Sequence, residues 1–91
     1  MIKRMHAIVE GRVQGVFFRD VVRAQAERLQ VTGWVRNLAD DTVEVLAEGA
    51  DIAIAQLVCM LEQGSPRARV DEVRATYDTA HGEFIDFRVL P

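Results

Sequence analysis

Within 91 residues the spacing of apolar side chains changes period again and again, and every change falls at a turn-forming stretch. From Met5 to Val13, one face carries Ala7, Val9, Gly11 and Val13 and the other His6, Ile8, Glu10 and Arg12, the alternation of a strand. Past Gly15 the spacing becomes helical: Val22, Ala26 and Leu29 fall at i, i+4 and i+7 among Arg23, Glu27 and Arg28, which predicts a helix from Phe18 to Gln30. Val31 to Asn37 and Thr42 to Glu48 are extended again, with Leu38-Ala39-Asp40-Asp41 as the hairpin turn between them. Ile54, Leu57, Val58 and Leu61 mark a second helix, with Asp51 in its first turn and Gly64-Ser65-Pro66 as its stop. Arg69 to Tyr77 and Phe84 to Val89 read as strands around the turn Thr79-Ala80-His81-Gly82, the last strand placing Ile85, Phe87 and Val89 on one side.

That order, β-α-β-β-α-β with an additional short C-terminal strand, predicts an α+β fold, a ferredoxin-like α/β sandwich with two helices on one face of a mostly antiparallel sheet. A single domain over residues 1–91 is expected, and 49% hydrophobic residues suffice for one core without disulfides or a metal. The lone cysteine, Cys59, excludes an internal disulfide, and neither a leader-like segment nor a membrane span is read, so the expected location is cytoplasmic. A net charge of −3 argues against a broad grip on nucleic acid. An RNA-recognition module of the same element order would also need exposed aromatics on its central strands, which Ala7-Ile8-Val9 and Val43-Glu44-Val45 do not offer. The expected state is a monomer with no nucleic-acid or membrane partner.

Chemistry concentrates in Gly11-Arg12-Val13-Gln14-Gly15-Val16-Phe17-Phe18-Arg19. Two glycines flank an apolar turn that delivers an arginine onto the first turn of a helix. Successive main-chain N–H groups, the helix start and a two-pronged guanidinium can converge there on a phosphate. A plain strand-to-helix connection would also explain the glycines, but an arginine at a helix N-terminus is unfavourable unless an anion sits beside it. In a right-handed split β-α-β unit the first two strands run parallel with the third between them, which brings Asn37 toward the Gly15 turn. Two inter-strand steps leave a gap of roughly 10 Å, which an arginine side chain, a phosphoryl group and a water can fill.

The motifs Gly11-x-Val13-Gln14-Gly15-Val16-x-Phe18-Arg19 and Gly33-Trp34-Val35-x-Asn37, with Val43-Glu44 behind them and Gly64-Ser65-Pro66 before Ala68-Arg69-Val70, resemble the acylphosphatase family in order and spacing. The resemblance implies that Gln14, Gly15, Val16, Phe17 and Phe18 offer main-chain N–H groups to the phosphoryl oxygens and that Arg19 clamps them. It implies that Asn37 orients the attacking water. The implied reaction is hydrolysis of a small-molecule acyl phosphate to a carboxylate and inorganic phosphate, with no metal, cofactor or covalent intermediate. A carboxylate of pKa about 4 leaves without a general acid, so positioning and charge stabilisation can carry the reaction. The hairpin departs from the family pattern, reading Asp40-Asp41-Thr42 where a glycine usually follows the acidic residue. The alternative reading is a noncatalytic anion-sensing domain that keeps the cradle and lacks turnover.

The remaining reactive side chains read as structural. Cys59, between Val58 and Met60, is expected as a packed hydrophobe with no histidine placed to activate it. His6 and His81 lack a local ligand pattern, and Asp40-Asp41 reads as a solvated turn. Trp34, Phe17, Phe18, Phe84 and Phe87 are expected mostly in the core.

Overall fold

The computed structural model describes residues 2–91. Its elements are β1 (Ile2–Arg12), α1 (Phe18–Arg28), β2 (Thr32–Asn37), β3 (Val43–Ala50), α2 (Asp51–Gln63), β4 (Arg69–Thr79) and β5 (Phe87–Val89). The strands form one sheet in the order β4-β1-β3-β2-β5. All neighbours are antiparallel except β2 and β5. The expected ferredoxin-like α+β arrangement is therefore present: β1 and β2 flank β3 and run the same way. The register places Val9 opposite Val43, and Val43 opposite Asn37, so one row across the sheet joins the last β1 residue paired with β3 to the end of β2.

Period-two burial follows from this layering. Met5, Ala7 and Val9 of β1, Val43, Val45 and Ala47 of β3, and Val35 of β2 meet Phe18, Val22 and Ala26 of α1 and Ala53, Ile54, Leu57 and Leu61 of α2. α1 ends two residues earlier than its pattern suggests, because Gln30 takes a left-handed φ of 59° and Val31 turns back into the core. α2 stops at Gly64, whose φ of 76° suits the residue beyond a helix end.

Several aromatic and end-of-strand expectations are corrected. The last strand begins at Phe87, since pairing with β2 starts at Gly33, and Ile85 is 89% exposed. Trp34 lies on the sheet face away from the helices, under the Arg36 guanidinium at 5.0 Å, because its neighbours Gly33 and Val35 take the inward face. Phe84 is half-buried beneath Arg4, and only Phe18 and Phe87 of the five aromatics are fully inside. Cys59 is exposed, on the outer side of α2, because Ala53, Ile54, Leu57 and Leu61 take the helix face against the sheet; its Sγ accepts from Gln63 Nε2 at 3.6 Å.

Candidate functional site

Two bends build the loop between β1 and α1. At Gly11 a bulge shifts the β1–β4 register, and a side chain there would place its Cβ 2.1 Å from the Arg69 carbonyl oxygen, so only glycine fits. Further on, Gly15 (φ 72°) and Phe17 (φ 62°) are both left-handed while Gln14, Val16 and Phe18 are not. Such alternation turns successive N–H groups toward one concave side. Among the described residues, none of the main-chain N–H groups from Gln14 to Phe18 has a protein acceptor. The first intrahelical bond of α1 runs from Val21 N–H to Phe17 O, which leaves the earlier donors without an intrahelical acceptor.

Arg19, on the first turn of α1, is half-buried, and its Nη1 donates to Leu90 O at 2.9 Å. Leu90 is itself held to β2 by its N–H donating to Val35 O at 2.9 Å. The guanidinium is thus aimed by the chain just past β5, and no carboxylate among the described residues pairs with it. Arg19 lines a cavity of about 250 Å³ with Val13, Gly15, Phe17, Phe18 and Asp20. A roomier hollow of about 600 Å³ lies between the end of β1 and the β2–β3 turn, but Glu10, Asp40, Asp41 and Asp71 line it against Arg12 and Arg69. Since Arg69 is paired with Asp71 at 3.1 Å, the balance there disfavours an anion.

Asn37 ends β2, and its Oδ1 is buried with no hydrogen-bond partner. A buried acceptor left without a protein partner costs about 1–3 kcal/mol, so this oxygen keeps its accepting capacity unspent within the fold. A contact that sequence reading missed ties the loop to the residue that follows Asn37: the Gln14 side chain. Its Nε2 donates to Leu38 O at 2.8 Å and to Thr42 O at 2.9 Å, tying the β1–α1 loop to the base of the β2–β3 hairpin. The hairpin closes through Leu38 N–H to Thr42 O at 2.9 Å, and Asp40 Oδ1 accepts from both Thr42 N–H and Thr42 Oγ1. These bonds from Thr42 hold the Asp40 carboxyl below its ordinary range. Asp41 adopts the left-handed conformation, φ 71°, that a glycine would take more cheaply; aspartate is one of the few other residues that tolerate it.

Away from the loop, Glu48, His81 and Glu83 bring three ligand-type atoms within 4.8 Å of one another. Separation in the chain hid this grouping. Arg4 already occupies it, donating to Glu48 Oε2 at 2.9 Å and to Glu83 Oε1, while the His81 and Gly82 N–H groups donate to Glu48 at 2.8 and 2.9 Å. The arrangement is a clasp that fastens the segment after β4 onto the sheet. Burial alone would raise the Glu48 pKa, but the His81 N–H, Arg4 and the Gly82 N–H outweigh it and lower it. Because the folded value lies below the unfolded one, the carboxylate stabilises the fold above about pH 4.5, and the contribution is lost as the solution is acidified through the lowered value. Glu48→Gln is therefore expected to cost about 2–3 kcal/mol at pH 7 and to flatten the loss of stability between neutral and acid pH, as read by urea unfolding across that range.

Comparison with known proteins agrees with the motifs. The acylphosphatase family model matches residues 5–89. The acylphosphatase of Pyrobaculum islandicum is 46% identical over 89 residues, spanning 97% of this chain and 94% of the relative. That of Rubrobacter xylanophilus is 49% identical over 87 residues, 96% of this chain and 79% of the relative. The crystal structure of acylphosphatase from Bacillus subtilis superposes with a TM-score of 0.94 at 35% identity, covering 100% of both chains. With sequence, fold and motif order in agreement over nearly its whole length, the chain belongs to the acylphosphatase family, enzymes that hydrolyse acyl phosphates.

Proposed function

We propose that the β1–α1 loop holds the phosphoryl group of an acyl phosphate, that Arg19 clamps it, and that Asn37 orients the attacking water, with no metal required. The buried, partnerless Asn37 Oδ1, one residue before the Leu38 carbonyl that the loop's Gln14 binds, carries this reading. A carbonyl oxygen accepts an O–H from water and leaves the water's lone pair free to attack, whereas a donor would engage that pair. The N–H groups of Gln14, Gly15, Val16, Phe17 and Phe18, together with Arg19, supply positive potential to the oxygens whose charge is redistributed in the transition state. Water oxygen bonds to phosphorus as the bond from phosphorus to the acyl oxygen breaks. The carboxylate departs with the electron pair, and the water's proton passes to a phosphoryl oxygen. A sensing domain would have no use for the orphaned acceptor, which favours turnover.

The test is release of phosphate from acetyl phosphate, with inorganic phosphate as inhibitor and with EDTA present or absent. Turnover indifferent to EDTA and competitive inhibition by phosphate are expected; inhibition that is not competitive with substrate refutes the cradle. Gln14→Ala removes the tie between loop and hairpin while leaving the main-chain donors. Its kcat is expected to fall about tenfold, with little change in the phosphate inhibition constant, because the water and phosphoryl group lose mutual alignment.

A further inference from the structure

Among the described residues Glu48 is the one ionisable side chain that is buried, at 4% exposure, and the chemistry proposed above makes no use of it. A buried carboxylate is costly unless its oxygens are bonded, and here the Arg4 guanidinium and the N–H groups of His81 and Gly82 all donate to it. Glu48 stands on β3, opposite Arg4 of β1 and Thr32 of β2, at the end of the sheet remote from Asn37. Because its neighbour Ala47 takes the helix side, the carboxylate lies on the other face. Topology makes that position matter. β4 and β5 occupy opposite edges of the sheet, so residues 80–86 must cross β1, β3 and β2, a span of about 19 Å in four inter-strand steps. Glu48 meets this crossing on the middle strand, and Arg4 reinforces it by donating to Glu83 and lying over the Phe84 ring. Beyond the crossing, Phe87 roots the chain in the core and Asp86 O accepts from Gly33 N–H at 2.8 Å. Yet β5 is three residues long, parallel to its neighbour and paired on one side only, short of what a strand needs to hold itself in place. Leu90, the next residue, supplies the carbonyl that aims Arg19.

We infer that Glu48 is a positioning residue for Arg19, acting from the far end of the sheet: by pinning the middle of the crossing it keeps β5, and with it the Leu90 carbonyl, where the guanidinium is held toward the loop. The inference rests on Arg19 binding the phosphoryl group as proposed above. Released at its middle, the crossing opens locally and lets β5 and Leu90 shift against β2, so that Arg19 spends part of its time turned away. Substrate and phosphate then bind only the aimed fraction. Their apparent affinities fall in proportion to that fraction, while turnover of the complex, in which the anion itself holds Arg19, is kept.

The experiment measures kcat and KM for acetyl phosphate, and the inhibition constant of inorganic phosphate, under conditions where unfolding curves show each protein folded. It compares the native protein with Glu48→Gln, which cannot accept on both side-chain positions, and with Ile54→Val, a core substitution on α2 that lowers stability from the opposite face of the sheet. In Glu48→Gln the KM and the phosphate constant are expected to rise together by about fivefold with kcat within about twofold of native, and in Ile54→Val both constants are expected to stay native. Native constants in folded Glu48→Gln, a fall in kcat alone, or an equal rise in Ile54→Val overturns the positioning role. Should Glu48→Gln not fold, Glu83→Gln removes only one of the Arg4 bonds, and a rise of about twofold in both constants supports the inference while no rise overturns it. Adding Glu48→Gln to Arg19→Ala separates the two readings. With no guanidinium left to aim, kcat/KM is expected to stay within about twofold of Arg19→Ala alone, and a further loss of about fivefold overturns the role of Glu48. If Arg19→Ala loses phosphate competition and Glu48→Gln has native constants, only the role of Glu48 falls; if Arg19→Ala keeps that competition, the clamp falls and this inference with it.

Discussion

Replacing Arg19 by alanine is expected to lower kcat/KM for an acyl phosphate by about a thousandfold and to abolish competition by inorganic phosphate in the same concentration range. The expectation follows from what surrounds the guanidinium. One of its nitrogens is spent on Leu90 O at 2.9 Å, and among the described residues no carboxylate neutralises the rest. The charge is therefore available to an anion in both ground state and transition state, so binding and rate fall together. Arg19→Lys separates charge from shape: a point charge without the planar fork is expected to recover phosphate affinity in part and rate hardly at all. Loss of the Leu90 contact costs about 1 kcal/mol of stability, small enough for the alanine variant to be assayed folded. Undiminished phosphate competition in Arg19→Ala would contradict the clamp.

Much of the scaffold was legible because it depends on local spacing. The turn from period two to helical spacing at Gly15, the paired limits of α2 at Asp51 and Gly64, and the hairpin at Asp40-Asp41 are all consequences of neighbours in the chain. Even the missing hairpin glycine left the turn intact, since Asp41 assumes the conformation directly. What escaped the sequence reading is long-range. Gln14 reads as a donor of its main-chain N–H, yet its side chain reaches carbonyls 24 and 28 residues away. Arg19 is aimed by a carbonyl 71 residues distant, and Glu48 by N–H groups 33 and 34 residues on. No spacing rule encodes such contacts. Phe17 fails for a different reason: hydrophobicity assigns an aromatic to the core, whereas a left-handed backbone in the loop turns it to solvent.

Asn37→Ala is the variant in which stability and activity are expected to move in opposite directions. In the folded protein the Oδ1 is buried without a protein partner, a standing cost that alanine removes, so the unfolding free energy is expected to hold or to rise by up to about 1 kcal/mol. The rate has no such relief. With the acceptor gone, water near the phosphoryl group is no longer fixed in line, and kcat is expected to fall by about a hundredfold to a thousandfold while phosphate still competes with near-native affinity. The contrast with Arg19 is diagnostic: one variant loses the anion, the other keeps the anion and loses the nucleophile's placement. Asn37→Asp sharpens it further, because a carboxylate beside a phosphate dianion repels the ligand and is expected to raise KM as well. Unfolding curves and steady-state kinetics on the same preparations decide the matter. A destabilised Asn37→Ala that keeps its kcat would mean that Oδ1 is satisfied within the fold and takes no part in positioning water.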